Sequence, residues 1–284
     1  MARSLTAQDR SSLIRLSSSL PVGSPERKAI LAGLKSAASG DEVNVPGKHI
    51  LQNAKVYGDA RVYGNAKVYD DAQVYYKAWV YGEAQVYGQA QVAGSAEVYT
   101  KAQVSGFAVV SGRAKVYGQA QVSGSVKVYE DAQVFGGAKV SGQAEVFGDA
   151  QVTGRAVVLG NAKVSDNAKV SGQAVVYGNA LAYGKARVFG DAVVDGDAKV
   201  HDQAKVSGRA VVFGNARVSE AALVYGAAKV SGKARVSGKA RVYGEAEVYG
   251  NARIGGTAVI LGGKWDGSEG EILSGRWLAP GVPV

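Results

Sequence analysis

Apolar and polar positions alternate along most of this chain, and the alternation restarts every six residues without insertion or deletion from Asn53 to Gly262. The span holds 35 hexads of the form x-Ala-x-Val-x-Gly. In Asn53-Ala54-Lys55-Val56-Tyr57-Gly58, Ala54 and Val56 are two apart and point to one side of an extended segment. Ala fills the second position in 34 hexads, with Val126 the departure. Val fills the fourth in 32, with Ala182, Ile254 and Ile260 the departures. These columns predict the interior, and Lys55 and Tyr57 predict the outside. Gly58 and the residue after it predict a corner, where glycine reaches positive φ at no steric cost. A short strand and a corner, repeated, describe a parallel β-helix.

The departures from the repeat set the length of one coil. Val157, Val175, Val193 and Val211 occupy the outward third position of every third hexad. Five of the seven non-glycine corners (Tyr76, Glu130, Asp166, Asp202 and Glu220) are also separated by multiples of three hexads. Three hexads per coil and a triangular cross-section follow, giving about twelve coils and a prism ~55–60 Å long at ~4.8 Å per coil.

The chain resembles the hexapeptide-repeat family over residues 53–262, in which an aliphatic residue is followed four places later by a small one, as in Val56 with Ala60 and Val62 with Ala66. The resemblance implies a left-handed, single-stranded all-β helix, and relatives that are commonly trimers. The Val-Tyr-Gly-Asn-Ala wording is similar to uncharacterised members often labelled acyltransferase-like, many from bacteria and phages. In the family's acyltransferases a histidine acts as general base and an inserted loop helps to build the acyl-CoA groove. Here the repeat has no insertion, and His201 is the only catalytic candidate; His49 precedes the repeat. The related carbonic anhydrases use three zinc-binding histidines, and this chain has two in all. No cofactor and no metal are expected.

The flanks differ from the repeat. Residues 263–284 carry Trp265, Ile272, Leu273, Trp277 and Leu278, which predict an apolar cap over the open end of the solenoid. Residues 1–45 predict a helical hairpin. Thr6-Ala7-Gln8-Asp9 reads as a capping box with Asp for Glu, and Ser24-Pro25-Glu26 as a second helix start. Residues 46–52 lead into the repeat, with Ile50 starting the Val column. The hairpin either caps the first coil or docks a protein partner, and its wording is similar to short segments of uncharacterised phage proteins. Asp9 and the helix punctuation argue against a transit peptide.

Sorting outward residues by face yields three columns. Val157, Val175, Val193 and Val211, with Leu159, Tyr177 and Phe213 beside them, form an apolar stripe expected to be a homotrimer interface. Tyr63, Tyr81, Tyr99, Tyr117 and Phe135 form an aromatic ladder, either a structural stack or a platform for glycan. Lys199, Arg217, Arg235 and Arg253 form a basic column, either a solvated rim or a seat for an anionic partner such as nucleic acid. Net charge is +9, of which the repeat supplies +7, a mild field over twelve coils. With no cysteine, disulfide and thiolate chemistry are excluded. No apolar run approaches the ~20 residues that span a bilayer. The sequence thus predicts a non-catalytic, oligomeric scaffold of the cytoplasm or a virion.

Overall fold

The computed structural model describes residues 50–284, and the only regular elements among them are β-strands. The expected helical hairpin of residues 1–45, and His49, lie outside the described residues. Among the described residues no helix is long and apolar enough to cross a membrane.

Each hexad contributes one strand at its third and fourth positions, usually two residues long. Consecutive strands enter three different sheets in turn. The first face begins with Lys55–Tyr57, the second with Arg61–Val62 and the third with Lys67–Val68. Their sheets hold 13, 14 and 12 strands. Pairing within each sheet is parallel and steps by three hexads, as in Lys55↔Gln73 and Val157↔Val175. The coil of three hexads is therefore observed directly. Ile50 forms a parallel bridge with Val68, which places it at the head of the Val column.

Backbone groups pair between coils because a strand of two residues has no partner within its own coil. The third-position N–H of Lys67 donates to Ala84 O at 2.8 Å, and the fifth-position N–H of Tyr69 donates to Val86 O at 3.0 Å. The first-position N–H of Asn65 donates to the corner carbonyl of Gly82 at 2.7 Å. Each such bond contributes about 1 kcal/mol net. The ladder repeats in every coil, and the narrow interior supplies the rest. The Ala and Val columns form one continuous apolar core; Val158, for example, is 0% exposed.

The seven non-glycine corners of the repeat all take positive φ, from 55° at Asp166 and Glu220 to 63° at Thr100. The turn geometry is thus fixed by the coil, and the residue type is adapted to it. Acidic corners carry a compensating bond. Asp70, Glu130, Asp166, Asp202 and Glu220 each accept a hydrogen bond from the backbone N–H of the corner one coil later, at 2.8–3.1 Å.

The C-terminal segment does more than plug the end. Lys264–Trp265, Glu271–Ile272 and Arg276–Ala279 each add a strand to one sheet, and Val282–Pro283 returns antiparallel to the last of these. Trp265 stacks under Val248 in the core column, is 1% exposed, and donates its indole N–H to Gly262 O at 2.7 Å. Trp277 packs edge-on against it, with ring centroids 6.3 Å apart. Leu273 and Leu278, expected inside the plug, are each 53% exposed: Leu278 falls on the outward phase of Arg276–Ala279, and Leu273 follows the strand that ends at Ile272.

Two stability predictions follow from this packing. Val158→Asp buries an unpaired charge between coils and should abolish the cooperative thermal transition followed by circular dichroism. At the corners, a Cβ on Gly238 would lie 2.7 Å from the N and O of Gly256, whereas one on Gly214 would lie 3.2 Å from the nearest atom, Gly232 N. Both residues have nearly the same φ, so Gly→Ala costs about 1–2 kcal/mol for the left-handed backbone at either site. Denaturant melts should rank Gly238→Ala as the more damaging.

Candidate functional site

The structure brings the valine stripe together as expected. Val157, Val175, Val193 and Val211 are successive register partners on the third face, all half-buried. Leu159, Tyr177, Asp195 and Phe213 form the parallel column beside them. The patch is therefore four coils tall and two side chains wide. Its one carboxylate is engaged: Asp195 Oδ1 accepts the N–H of Gly196. A hydrogen bond with Asp195, followed by burial, raises the pKa of Tyr177. Polar ladders border the patch. Asn161 donates to Asn179 and Asn179 donates to Asp197, both at 3.0 Å, and Gln173 donates to Asp191 at 3.1 Å on the other side. Above and below, the valine column gives way to Lys139 and Lys229.

The aromatic ladder on the second face is also real. Tyr63, Tyr81, Tyr99, Tyr117 and Phe135 stack with centroids 4.8–5.1 Å apart and ring planes within 4° of parallel. Trp79 meets Tyr63 edge-on at 6.4 Å, and the Arg61 guanidinium lies 5.6 Å from the Trp79 ring centre. In a continuous stack each interior ring has both faces covered by its neighbours. Only ring edges point outward, so the ladder lacks the open π-faces on which a sugar would stack. The same spacing produces stacks elsewhere that sequence reading passed over: Tyr57 on Tyr75, Tyr69 on Tyr87, Tyr129 on Phe147 and Tyr225 on Tyr243. Aromatic pairs three hexads apart in the fifth position were the available signal. Hydroxyl braces add to them. Tyr75 donates to Gln91 at 3.1 Å and Tyr81 to Glu97 at 3.0 Å, each reaching the third position of the next coil. These columns fasten coils to one another.

His201 takes part in one such stack. Its ring lies on Tyr183 with centroids 4.8 Å apart, and its Nδ1 is 3.0 Å from Asp202 Oδ2. Both sit on the regular surface of the coil, with no inserted segment to enclose a substrate. Asp202 is committed to the N–H of Glu220, and Glu220 to that of Gly238. Among the described residues no group of three or more His, Asp or Glu side chains is placed to hold a metal ion.

On the first face Lys199, Arg217, Arg235 and Arg253 stand in register on four successive coils. At several other places on the prism a cation stands one coil from an acid. Lys115 pairs with Glu97 at 3.0 Å, Lys163 with Glu145 at 3.2 Å and Lys229 with Glu247 at 3.2 Å.

Residues 54–69 match the sequence model of the YdcK Beta solenoid repeat, a span shorter than one coil. That match and the stacked parallel coils fit a repeat β-helix family. The comparison with curated proteins found no match.

Burial raises the pKa of Tyr81 above its ordinary 10.0, reinforced by its hydrogen bond to Glu97. Burial raises Tyr99 and Tyr117 too. A phenol whose folded pKa is raised stabilises the fold fully below the unfolded value, and that stability is lost as pH rises through the folded one. The thermal midpoint should therefore fall as pH climbs above about 10. Glu97→Gln should move the Tyr81 titration, read by tyrosinate absorbance, back toward the ordinary value.

Proposed function

We propose that this protein is a non-catalytic, rigid β-solenoid body that assembles with copies of itself through the valine face and serves as a scaffold in a larger assembly, such as a virion. The single observation behind this reading is the four-coil apolar patch centred on Val175 and Val193, bordered by hydrogen-bonded polar ladders. An apolar centre with a polar rim is the anatomy of a protein interface. The patch rises ~15 Å from Val157 to Val211 at the usual spacing between parallel strands. Its few hundred Å² suits the core of an interface of ordinary size, about 800 Å² per partner. A trimer is the arrangement that the hexapeptide-repeat resemblance implies.

The scaffold reading draws further support from the uniformity of the repeat. Functional loops on solenoids interrupt the coil, and here the coil runs unbroken through 35 hexads. His201 is held as a rung of an aromatic stack, which serves packing without any chemistry.

Light scattering on the full-length chain should give a trimer. The variant Val175→Lys/Val193→Lys places like charges on adjacent coils at the centre of the patch and should give a folded monomer, with circular dichroism unchanged. A wild-type monomer, or a variant that remains trimeric, would remove the valine face as the self-association surface.

A further inference from the structure

The basic column on the first face runs through four successive coils without an acid. Several other cations are answered by an acid one coil away, as at Lys115 with Glu97, Lys163 with Glu145 and Arg113 with Asp131; Lys169, Arg187 and Lys205 on the second face stack without one, but only one of those three is arginine. Arg217, Arg235 and Arg253 instead stack on one another, in register, and all three are exposed. Lys233 and Lys239 stand at the two corners that flank Arg235's strand. Among the described residues none of these five cations is in an ion pair. The acids nearby lie toward the ends: Asp197, Asp202 and Glu220 near Lys199 and Arg217, and Glu271 in register after Arg253. Asp202 and Glu220 are already bound to backbone N–H groups. The positive centre is therefore at Arg235.

The column beside the arginines changes character over the same coils. Its fifth-position residues are Tyr183 and His201 above, then Ser219, Ser237 and Gly255. Small polar side chains thus lie next to Arg217 and Arg235, leaving room there for a ligand chain to lie flat, whereas beside Arg253 the buried Gly255 is covered by the Leu273 side chain. We propose that the face carrying Arg217, Arg235 and Arg253, with Lys233 and Lys239 at its edges, binds a single nucleic-acid strand through its phosphates without reading the bases.

Three physical arguments select this occupant. Guanidinium forks engage phosphate oxygens bidentately, and the row is arginine in three of its four coils. The row is single-file, so it fits one strand better than the breadth of a duplex or a membrane. Its cations repeat at ~4.8 Å, the spacing of neighbouring strands; an extended acidic peptide carries same-side carboxylates ~6.6–6.8 Å apart and falls out of step. A nucleic-acid strand turns freely at every phosphate and can adjust. No aromatic ring adjoins Arg235 or Arg253 on this face, so the base-stacking that tightens many single-strand sites is missing. Binding should therefore be sequence-tolerant and strongly salt-dependent. It uses a different face from the valine patch, and its failure would leave the self-association reading standing.

Fluorescence anisotropy of the full-length chain with a labelled oligothymidine of about twenty nucleotides tests the proposal. Wild type should bind at low salt, and Arg217→Gln/Arg235→Gln/Arg253→Gln should weaken binding roughly tenfold or more. It should also lower the slope of log K against log salt by about 2, at ~0.7 per phosphate contact. Lys67→Gln/Lys139→Gln/Arg155→Gln removes the same charge from other parts of the prism and should leave affinity within about threefold, since distant charges are screened. Equal losses in the two triples would overturn the proposal, as would no binding by wild type. Arginine-dependent binding to a sulfated glycan or to phosphatidylserine vesicles, with none to oligothymidine, would overturn it too.

Discussion

The backbone ladder between coils is the constraint on which everything else rests. A two-residue strand satisfies its N–H and C=O groups only through the coils above and below, so each coil must return the chain to the same register. Bonds such as Lys67 N–H to Ala84 O and Asn65 N–H to Gly82 O fix that return at three hexads. An inserted residue would turn Ala and Val outward on every later face. The chain departs from the step only after its last hexad. There Glu247 pairs with Lys264, one position short of three full hexads, and the interior position passes from Val248 to Trp265.

Strict register turns sequence positions into columns, and the columns determine what the outside can do. In most of them the side chains answer one another: rings stack, tyrosine hydroxyls brace the next coil, acids alternate with cations, and corner carboxylates take the following N–H. Such columns stabilise the stack and leave little over for a ligand. Two of the columns that depart from this pattern stand out. Among the described residues, nothing covers the apolar surface of the third-face valines, and no acid pairs with the first-face arginines. Those are the surfaces on which a function can rest, and they lie on separate sides of the prism.

Much of this was legible beforehand because the signals were periodic. The Ala and Val columns announce the core, and Val157 through Val211 announce the coil length without any structure. The braces and the corner bonds were not legible. They depend on where a tyrosine hydroxyl or a Glu130 carboxylate reaches across a coil, which a repeat pattern does not encode. The acidic corners could be noticed as a column, and their role needed the N–H of Gly148 and its equivalents in place. The tail was read as an apolar plug from composition alone. Trp265 and Ile272 are buried, but the strand end and the strand phase that leave Leu273 and Leu278 exposed cannot be read once the hexad ends.

The absence of cysteine offers a direct test of the register, since any pair introduced has no competitor. Ser105 and Ser123 are small fifth-position residues three hexads apart on the third face, and Ser111 lies one hexad after Ser105 on the first. Neighbouring parallel strands place Cα atoms within the ~4.4–6.8 Å that a disulfide spans. Mild oxidation should cross-link Ser105→Cys/Ser123→Cys rapidly within the folded chain and leave Ser105→Cys/Ser111→Cys reduced. Cross-linking of the one-hexad pair in preference to the three-hexad pair would contradict the three-hexad coil, and with it every surface assigned here.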